Sequence, residues 1–258
     1  MSHVVFLGLV ATVWTQRHAS TLWGILKLCN LVASLNEIME NKTGKPEFWE
    51  SAFTEKQEMW GFEPSNSAVV TKDFFVQKSV KNILIPGIGY GRNAQIFKDN
   101  GITVTGIEIS KTAIEMARKH YGTDMTIYHG SVTAMPFDKY QYDGIFCYAL
   151  IHLLDSNERE KLIRDCYNQL SEDGYMVFTV ISKEAPTYGN GKFVSKDRYE
   201  IFDGVKMFFY DRESIHAEFD KAGLFEIVEI SENFPFFLIK CRKGSGQTMD
   251  HLPHFTVI

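Results

Sequence analysis

The densest chemical signal in the chain is an 11-residue stretch, Ile83-Leu84-Ile85-Pro86-Gly87-Ile88-Gly89-Tyr90-Gly91-Arg92-Asn93. An apolar strand pattern ends, three glycines alternate, and a helical pattern begins. Glycine tolerates positive φ and lets a ligand approach the backbone closely. The loop feeds a helix start whose free N–H groups favour negative charge. Glu108 ends the next strand pattern, 17 positions after Gly91. A carboxylate there can accept hydrogen bonds from both hydroxyls of a ribose. The constellation predicts a ligand containing a nucleoside. A tight strand–helix turn without a ligand is the alternative. The dehydrogenase fingerprint needs a glycine at position 92, where Arg92 stands, and this argues against a Rossmann oxidoreductase.

Other side chains could move protons. His152 lies four residues past Tyr148, just beyond a strand pattern, and is the candidate general base. The competing reading is a packing or helix-start histidine. Asp143 opens the same strand, at the end away from the ligand, and reads as structural. His129 reads as local packing. No cysteine pair or Cys/His cluster has zinc spacing, and no metal site is expected. His251 and His254 read as part of a flexible tail. The four cysteines, Cys29, Cys147, Cys166 and Cys241, read as reduced, buried thiols of a cytoplasmic protein.

The elements that must position these residues alternate from Val80 onward. Strands are expected over Val80–Pro86, Thr103–Glu108, Met125–His129, Tyr142–Tyr148 and Tyr175–Ile181. Helices are expected over Asn93–Asn100, Lys111–His120 with Ser110 as cap, and from Asp155 to about Leu170. Asp155 with Glu158 makes a capping box. Leu162, Ile163, Cys166 and Leu170 share one face of that last helix. Asp211–Ala222 is a further helix. Ile227–Ser231 and Phe236–Arg242 look like a closing strand pair. Such alternation implies a doubly wound, Rossmann-like α/β sheet.

With 258 residues, one domain can bury its own core. The net charge of −5 argues against a broad nucleic-acid footprint. Val4–Trp14 is apolar but too short to span a bilayer, and Leu22–Leu35 reads as an amphipathic helix. An appended helix, a start-site extension and a membrane-facing anchor all fit residues 1–45. Membrane contact is thus expected only through residues 4–35.

The motifs together resemble class I S-adenosylmethionine-dependent methyltransferases. PGIGYGRN, VTGIEIS, YHGSVTAMPF, YDGIFCYALIHLL and LSEDGYMVF occur in that family's order and spacing, over roughly Phe48 to Lys243. The upstream PEFWESAFTEKQEMWGFEPS is similar to the cap of thiopurine and tellurite-resistance type methyltransferases. The resemblance implies a seven-stranded, mostly parallel sheet with one antiparallel strand near the C-terminus. It implies a methyltransferase domain over 46–243 with cap segments 46–75 and 183–210, and a flexible tail over 244–258.

It also implies roles. Gly87, Gly89 and Gly91 would wrap the methionine part of the cofactor. Glu108 would bind the ribose, and Ile109 would flank the adenine. Ser131 and Val132 sit where the family often has an acid facing the adenine amino group, so that contact would be weaker or made by the Val132 backbone. Cys147 and Tyr148 would stand beside the methyl group. Arg92 would face the cofactor carboxylate, or else be a solvated helix-start arginine. Trp60 and Tyr90 complete the expected cofactor set, with Tyr148 and His152 as catalytic candidates.

The 35 aromatic residues are unevenly placed. Phe48–Phe75 and Lys183–Tyr210 hold seven each, where an even share is about four. Trp49, Trp60 and Phe62 are in the first, and Tyr188, Phe193, Tyr199, Phe202 and Phe208 in the second. Aromatic walls suit a small apolar or cationic acceptor. The bland alternative is a small accessory core. The expected activity is methyl transfer to a small-molecule S, N, O or metalloid nucleophile. Aminopropyl transfer, a non-catalytic nucleotide-binding module, and a protein or RNA acceptor are the alternatives.

Overall fold

A computed structural model describes residues 48–202 and 204–249. The expectations for residues 1–45, for Cys29 and for His251 and His254 lie outside the described residues.

A seven-stranded sheet forms the centre, in the order β3-β2-β1-β4-β5-β10-β9. Its strands are β1 (Asn82–Pro86), β2 (Thr103–Glu108), β3 (Thr126–His129), β4 (Tyr142–Cys147), β5 (Leu170–Ile181), β9 (Leu224–Ser231) and β10 (Pro235–Arg242). β1 to β5 run parallel, and β10 pairs antiparallel with both β5 and β9. The single antiparallel strand is the expected one.

Strand alternation builds two cores. Leu84, Ile145, Cys147, Met176 and Phe178 face one side, where α5 (Ser156–Gln169) and α6 (Arg212–Phe219) cover them. Ile83, Ile85, Phe146 and Val177 face the other, under α2 (Asn66–Gln77) and α3 (Gln95–Lys98). Leu162, Ile163, Cys166 and Leu170 are all buried on one face, as their spacing requires. The capping box of Asp155 and Glu158 starts α5, and Ser110 accepts from Ala113 N to start α4 (Lys111–Tyr121).

Two regions differ from the sequence reading. The helix expected over Asn93–Asn100 shrinks to Gln95–Lys98. Gly91 stands at φ +84°, and Asn93 spends its side-chain oxygen on Ser65 N instead of a helix turn. The segment after β5 holds a separate antiparallel sheet of β6 (Lys192–Ser195), β7 (Arg198–Phe202) and β8 (Val205–Phe208). Its strands are short, and all four residues of β6 are exposed, so no alternation marked it.

After β3 the chain returns to the centre as β4, beside β1. That reversal makes a switch point at the C-terminal ends of β1 and β4, the place where open α/β sheets bind ligands. Among the described residues, no helix is long and apolar enough to cross a membrane.

Candidate functional site

The glycine loop leaves β1 at this switch point. Gly87, Gly89 and Gly91 all have positive φ, at +70°, +58° and +84°. A Cβ on Gly87 would lie 2.3 Å from Leu150 Cδ1, so the loop after β4 packs directly on it. Part of the loop's amides are spent within the fold. Gly87 N and Ile88 N donate to Ile107 O at 2.9 and 3.0 Å, and Gly91 N donates to Ile88 O at 3.1 Å. The positive-φ glycines offer close approach.

Glu108 is the buried charge of the site, at 5% exposure. One carboxylate oxygen accepts from Gly89 N at 2.8 Å and the other from Ser110 N at 2.9 Å. Each oxygen has a second lone pair. The backbone donors fix its geometry.

α1 (Phe48–Lys56) lies over this loop. Glu50 anchors it by accepting from Ser110 Oγ at 2.6 Å, Thr112 Oγ1 at 2.7 Å and Thr112 N at 3.3 Å. Burial raises the pKa of Glu50, but these hydrogen bonds outweigh it and leave it lowered. Phe53 stands 6.1 Å from the buried Tyr90 ring, and Trp60 stacks on the other side of that cluster, 6.3 Å from Tyr90 at 8°. Tyr90 Oη donates to Gly61 O at 2.6 Å, and Arg92 Nη1 donates to Trp60 O at 3.0 Å. The Arg92 guanidinium also lies 5.8 Å over the Tyr148 ring. Arg92 is therefore held inward between the first cap and the end of β4. It is not a freely solvated helix-start residue.

At the end of β4, Cys147 is buried, and burial pushes its thiol pKa up. Burial also raises the Tyr148 pKa, with the Glu232 charge adding to it, so the phenol keeps its proton. Ala149 takes φ +50°, and its N–H donates to Thr179 Oγ1 at 2.9 Å. His152 follows in a 3-10 turn over Ile151–Leu153 at 3% exposure. Its ring meets Phe236 edge-on at 5.8 Å, and its Nδ1 has no hydrogen-bond partner. Burial lowers its pKa to about 3, so it is neutral at pH 7.

The side toward β3 is more self-contained. Ser131 Oγ caps a 3-10 turn by accepting from Thr133 N at 3.2 Å, and it lies 2.7 Å from Thr133 Oγ1. Val132 is buried. The His129 ring bonds Ile109 O at 3.0 Å, a local packing role. Asp143 holds Lys81 N at 2.9 Å and Asn82 Nδ2 at 3.1 Å at the opposite end of the sheet, a structural role.

Sequence reasoning missed Glu50, Phe53 and Glu232. Glu232 accepts from Ser67 N at 2.7 Å and from Asn66 N at 3.3 Å, closing the start of α2 near Tyr148. No short-range pattern links positions 165 and 166 residues apart. For Glu50, a carboxylate in the first turn of a helix was the one available signal.

Known proteins share this fold. The family model described as "Methyltransferase domain" matches residues 84–178. The chain is 22% identical over 203 residues to the tRNA N(3)-methylcytidine methyltransferase Mettl2 of Drosophila melanogaster, covering 73% of this chain and 59% of that protein. A Geobacillus sp. (strain WCH70) protein with a provisional methyltransferase name is 31% identical over 120 residues, 42% of this chain and 49% of its own length. The chain thus spans about half to three fifths of the curated relatives it matches. Among solved structures, the Burkholderia thailandensis 1,6-didemethyltoxoflavin-N1-methyltransferase superposes with a TM-score of 0.60 at 13% identity, over 76% of this chain and 85% of that one. An S-adenosylmethionine-dependent methyltransferase from Clostridium acetobutylicum gives 0.59 at 13% identity, over 75% and 98%. Residues 84–178 match the methyltransferase-domain model, and the chain has the fold of the class I S-adenosylmethionine-dependent methyltransferases.

Proposed function

We propose that the protein transfers a methyl group from S-adenosylmethionine to a small-molecule acceptor. The observation that carries this is the glycine loop joined to buried Glu108 through Gly89 N, under an aromatic first cap. The residues suit the cofactor. A carboxylate faces a diol, positive-φ glycines admit close approach, and the Trp49–Phe53–Trp60–Tyr90 cluster suits a sulfonium cation. Arg92 suits the cofactor carboxylate. Ile109 and Val132 flank the base, while Ser131, already engaged with Thr133, contributes little to it.

When bound, the cofactor supplies an activated methyl group for in-line displacement. The chain's own task is alignment and exclusion of water. Cys147 is too buried to ionise, so it packs beside the reaction instead of reacting. Tyr148 stays protonated and donates. A histidine with a pKa of about 3 is a poor base at pH 7, so His152 positions the acceptor by hydrogen bonding.

Two aromatic-rich caps beside the site would favour a small acceptor. A thiopurine- or metalloid-type acceptor is the finer reading that the first cap suggests, and the cytoplasm is the compartment that reduced cysteines suggest. The name of the Drosophila relative gives an RNA acceptor as the second reading. A labelled-methyl transfer screen over thiols, amines, phenols, metalloid anions and tRNA tests both. Transfer to a small molecule alone is expected, and transfer to tRNA alone contradicts the first reading.

A further inference from the structure

The two backbone donors that hold Glu108 come from different segments, Gly89 in the glycine loop and Ser110 at the start of α4. One helix, α1, touches both. A Cβ on Gly89 would lie 3.7 Å from Phe53 Cζ, so the buried Phe53 ring covers that glycine. Three residues earlier on the same face of α1, Glu50 accepts from Ser110 Oγ at 2.6 Å.

Ser110 is fully buried, and its polar groups are all engaged. Its hydroxyl has one proton, which goes to Glu50. Its hydroxyl oxygen accepts from Ala113 N at 3.0 Å, and its own N–H donates to Glu108 Oε1 at 2.9 Å. Glu50 is fixed in turn. Thr112 Oγ1 donates to its Oε1 at 2.7 Å, and Thr112 N to its Oε2 at 3.3 Å, in the first turn of α4, where a negative charge is favoured. A short chain of contacts thus runs from Glu50 through Ser110 to Glu108.

Adhesion of α1 is supplied by other groups. Phe53, Tyr90 and Ala113 form a buried apolar cluster, with Trp49, Met59 and Met116 packed against it. Tyr90 and Arg92 donate to Gly61 O and Trp60 O just beyond the helix. What Glu50 adds is the orientation of Ser110. Without that carboxylate the buried hydroxyl loses its acceptor, and the amide beside it is free to tilt away from Glu108.

We propose that Glu50 is a positioning residue for the cofactor, acting through Ser110 to hold Glu108 in the geometry that receives the ribose. Phe53 supports the same carboxylate from the Gly89 side. This rests on the methyltransferase reading above and on the ribose role of Glu108.

The test is calorimetry on the full chain with S-adenosylhomocysteine and with its 2′-deoxy analogue. The wild type is expected to prefer the ribose form about tenfold or more. Glu50→Met, similar in size but without a carboxylate, should cut that preference at least threefold. Ser110→Ala keeps the amide and loses the hydroxyl, and should cut it to a similar degree. Combining the two should cut it no further, since both break one chain of contacts. A merely structural role would weaken both ligands equally and leave the preference unchanged, and that result in Glu50→Met overturns the proposal. So does an additive loss in the double variant. If Glu50→Met does not fold, Ser110→Ala decides, an unchanged preference again counting against the proposal. Other results fall on the premises. A wild type without the preference, or a preference that survives in Glu108→Ala, removes the ribose role of Glu108 and the proposal with it. Absence of S-adenosylhomocysteine binding by the wild-type chain would instead sink the methyltransferase reading.

Discussion

The first cap over α1 and the second cap over β6–β8 border the same edge of one sheet, yet they are held by opposite kinds of contact. The first closes on itself and on the glycine loop with its polar groups largely matched, Thr71 Oγ1 being a buried exception. Glu50 takes three donors, Tyr90 and Arg92 each donate to a cap carbonyl, and Trp60 lies flat on Tyr90. The second is tied down at its base, where Lys183 meets Asp197 and Asp211 and Tyr188 Oη donates to Asp197 at 2.8 Å. Farther in, Arg198 Nε, His152 Nδ1 and Thr187 Oγ1 are buried without partners. A region whose polar groups are matched is built for one invariant shape and ligand. A region with buried, unmatched donors is built to be completed by something else. This contrast supports the proposal that the first cap serves the cofactor and the second the acceptor.

This division can be broken most sharply at Gly191. It has φ +97°, and a Cβ there would lie 2.3 Å from Glu200 backbone O. Gly191→Ala should cost about 3 kcal/mol within the second cap, from left-handed strain plus a backbone clash. Hydrogen exchange should quicken over 192–208, while S-adenosylhomocysteine affinity stays within twofold. A matching loss of cofactor affinity would merge the two caps into one functional unit.

Next in size is the converse change. Trp60→Ala removes the ring stacked on Tyr90 and should weaken S-adenosylhomocysteine binding by about 2 kcal/mol, roughly 30-fold. Unaltered cofactor affinity would remove Trp60 from the cofactor set.

His152 sharpens the comparison through pH. Its folded pKa of about 3 lies below its unfolded value of about 6.5. The unfolded chain binds the proton first, so stability is full above about pH 6.5 and falls as pH drops toward 3. His152→Gln should flatten that slope in denaturant melts between pH 7 and pH 5. An identical slope in both proteins would mean that His152 is not held neutral by burial. The same reasoning excludes a pH–rate inflection near 6.5 from this residue.

The smallest effect is expected at the base of the second cap. Burial raises the Asp211 pKa, but Lys183 and the Ser214 contacts outweigh it and bring it down to about 2. This stabilisation is present above about pH 4 and is lost as pH falls toward 2. Solvent exposure keeps it modest. Lys183→Met should reduce the acid sensitivity of the second cap alone, read by hydrogen exchange over 192–208. Equal loosening of α1 would contradict the separation.

The sequence revealed the framework strands because their buried faces alternate regularly and their turns carry glycine, proline or capping residues. Thr103–Glu108, the Ser110 cap and the Asp155–Glu158 box fell where the pattern put them. The glycine loop and Glu108 were legible because strand, loop, helix and acid lie within 30 residues. The second-cap sheet was not legible, since its short strands leave most side chains in solvent and so carry little periodicity. Contacts such as Glu50 with Thr112, Glu232 with Ser67, and Arg198 with Leu153 join distant segments, and only the fold brings them together. The same holds for the amides of Gly87, Ile88 and Gly89, whose partners Ile107 and Glu108 lie in the neighbouring strand.

The most direct test of the central claim is a calorimetric titration of S-adenosylhomocysteine into the wild-type chain and into Glu108→Ala. One site per chain is expected in the wild type. Loss of two hydrogen bonds to a buried carboxylate should weaken it about 100-fold or more in the variant. Absence of binding to the wild type, or equal affinity in the two proteins, would contradict the account.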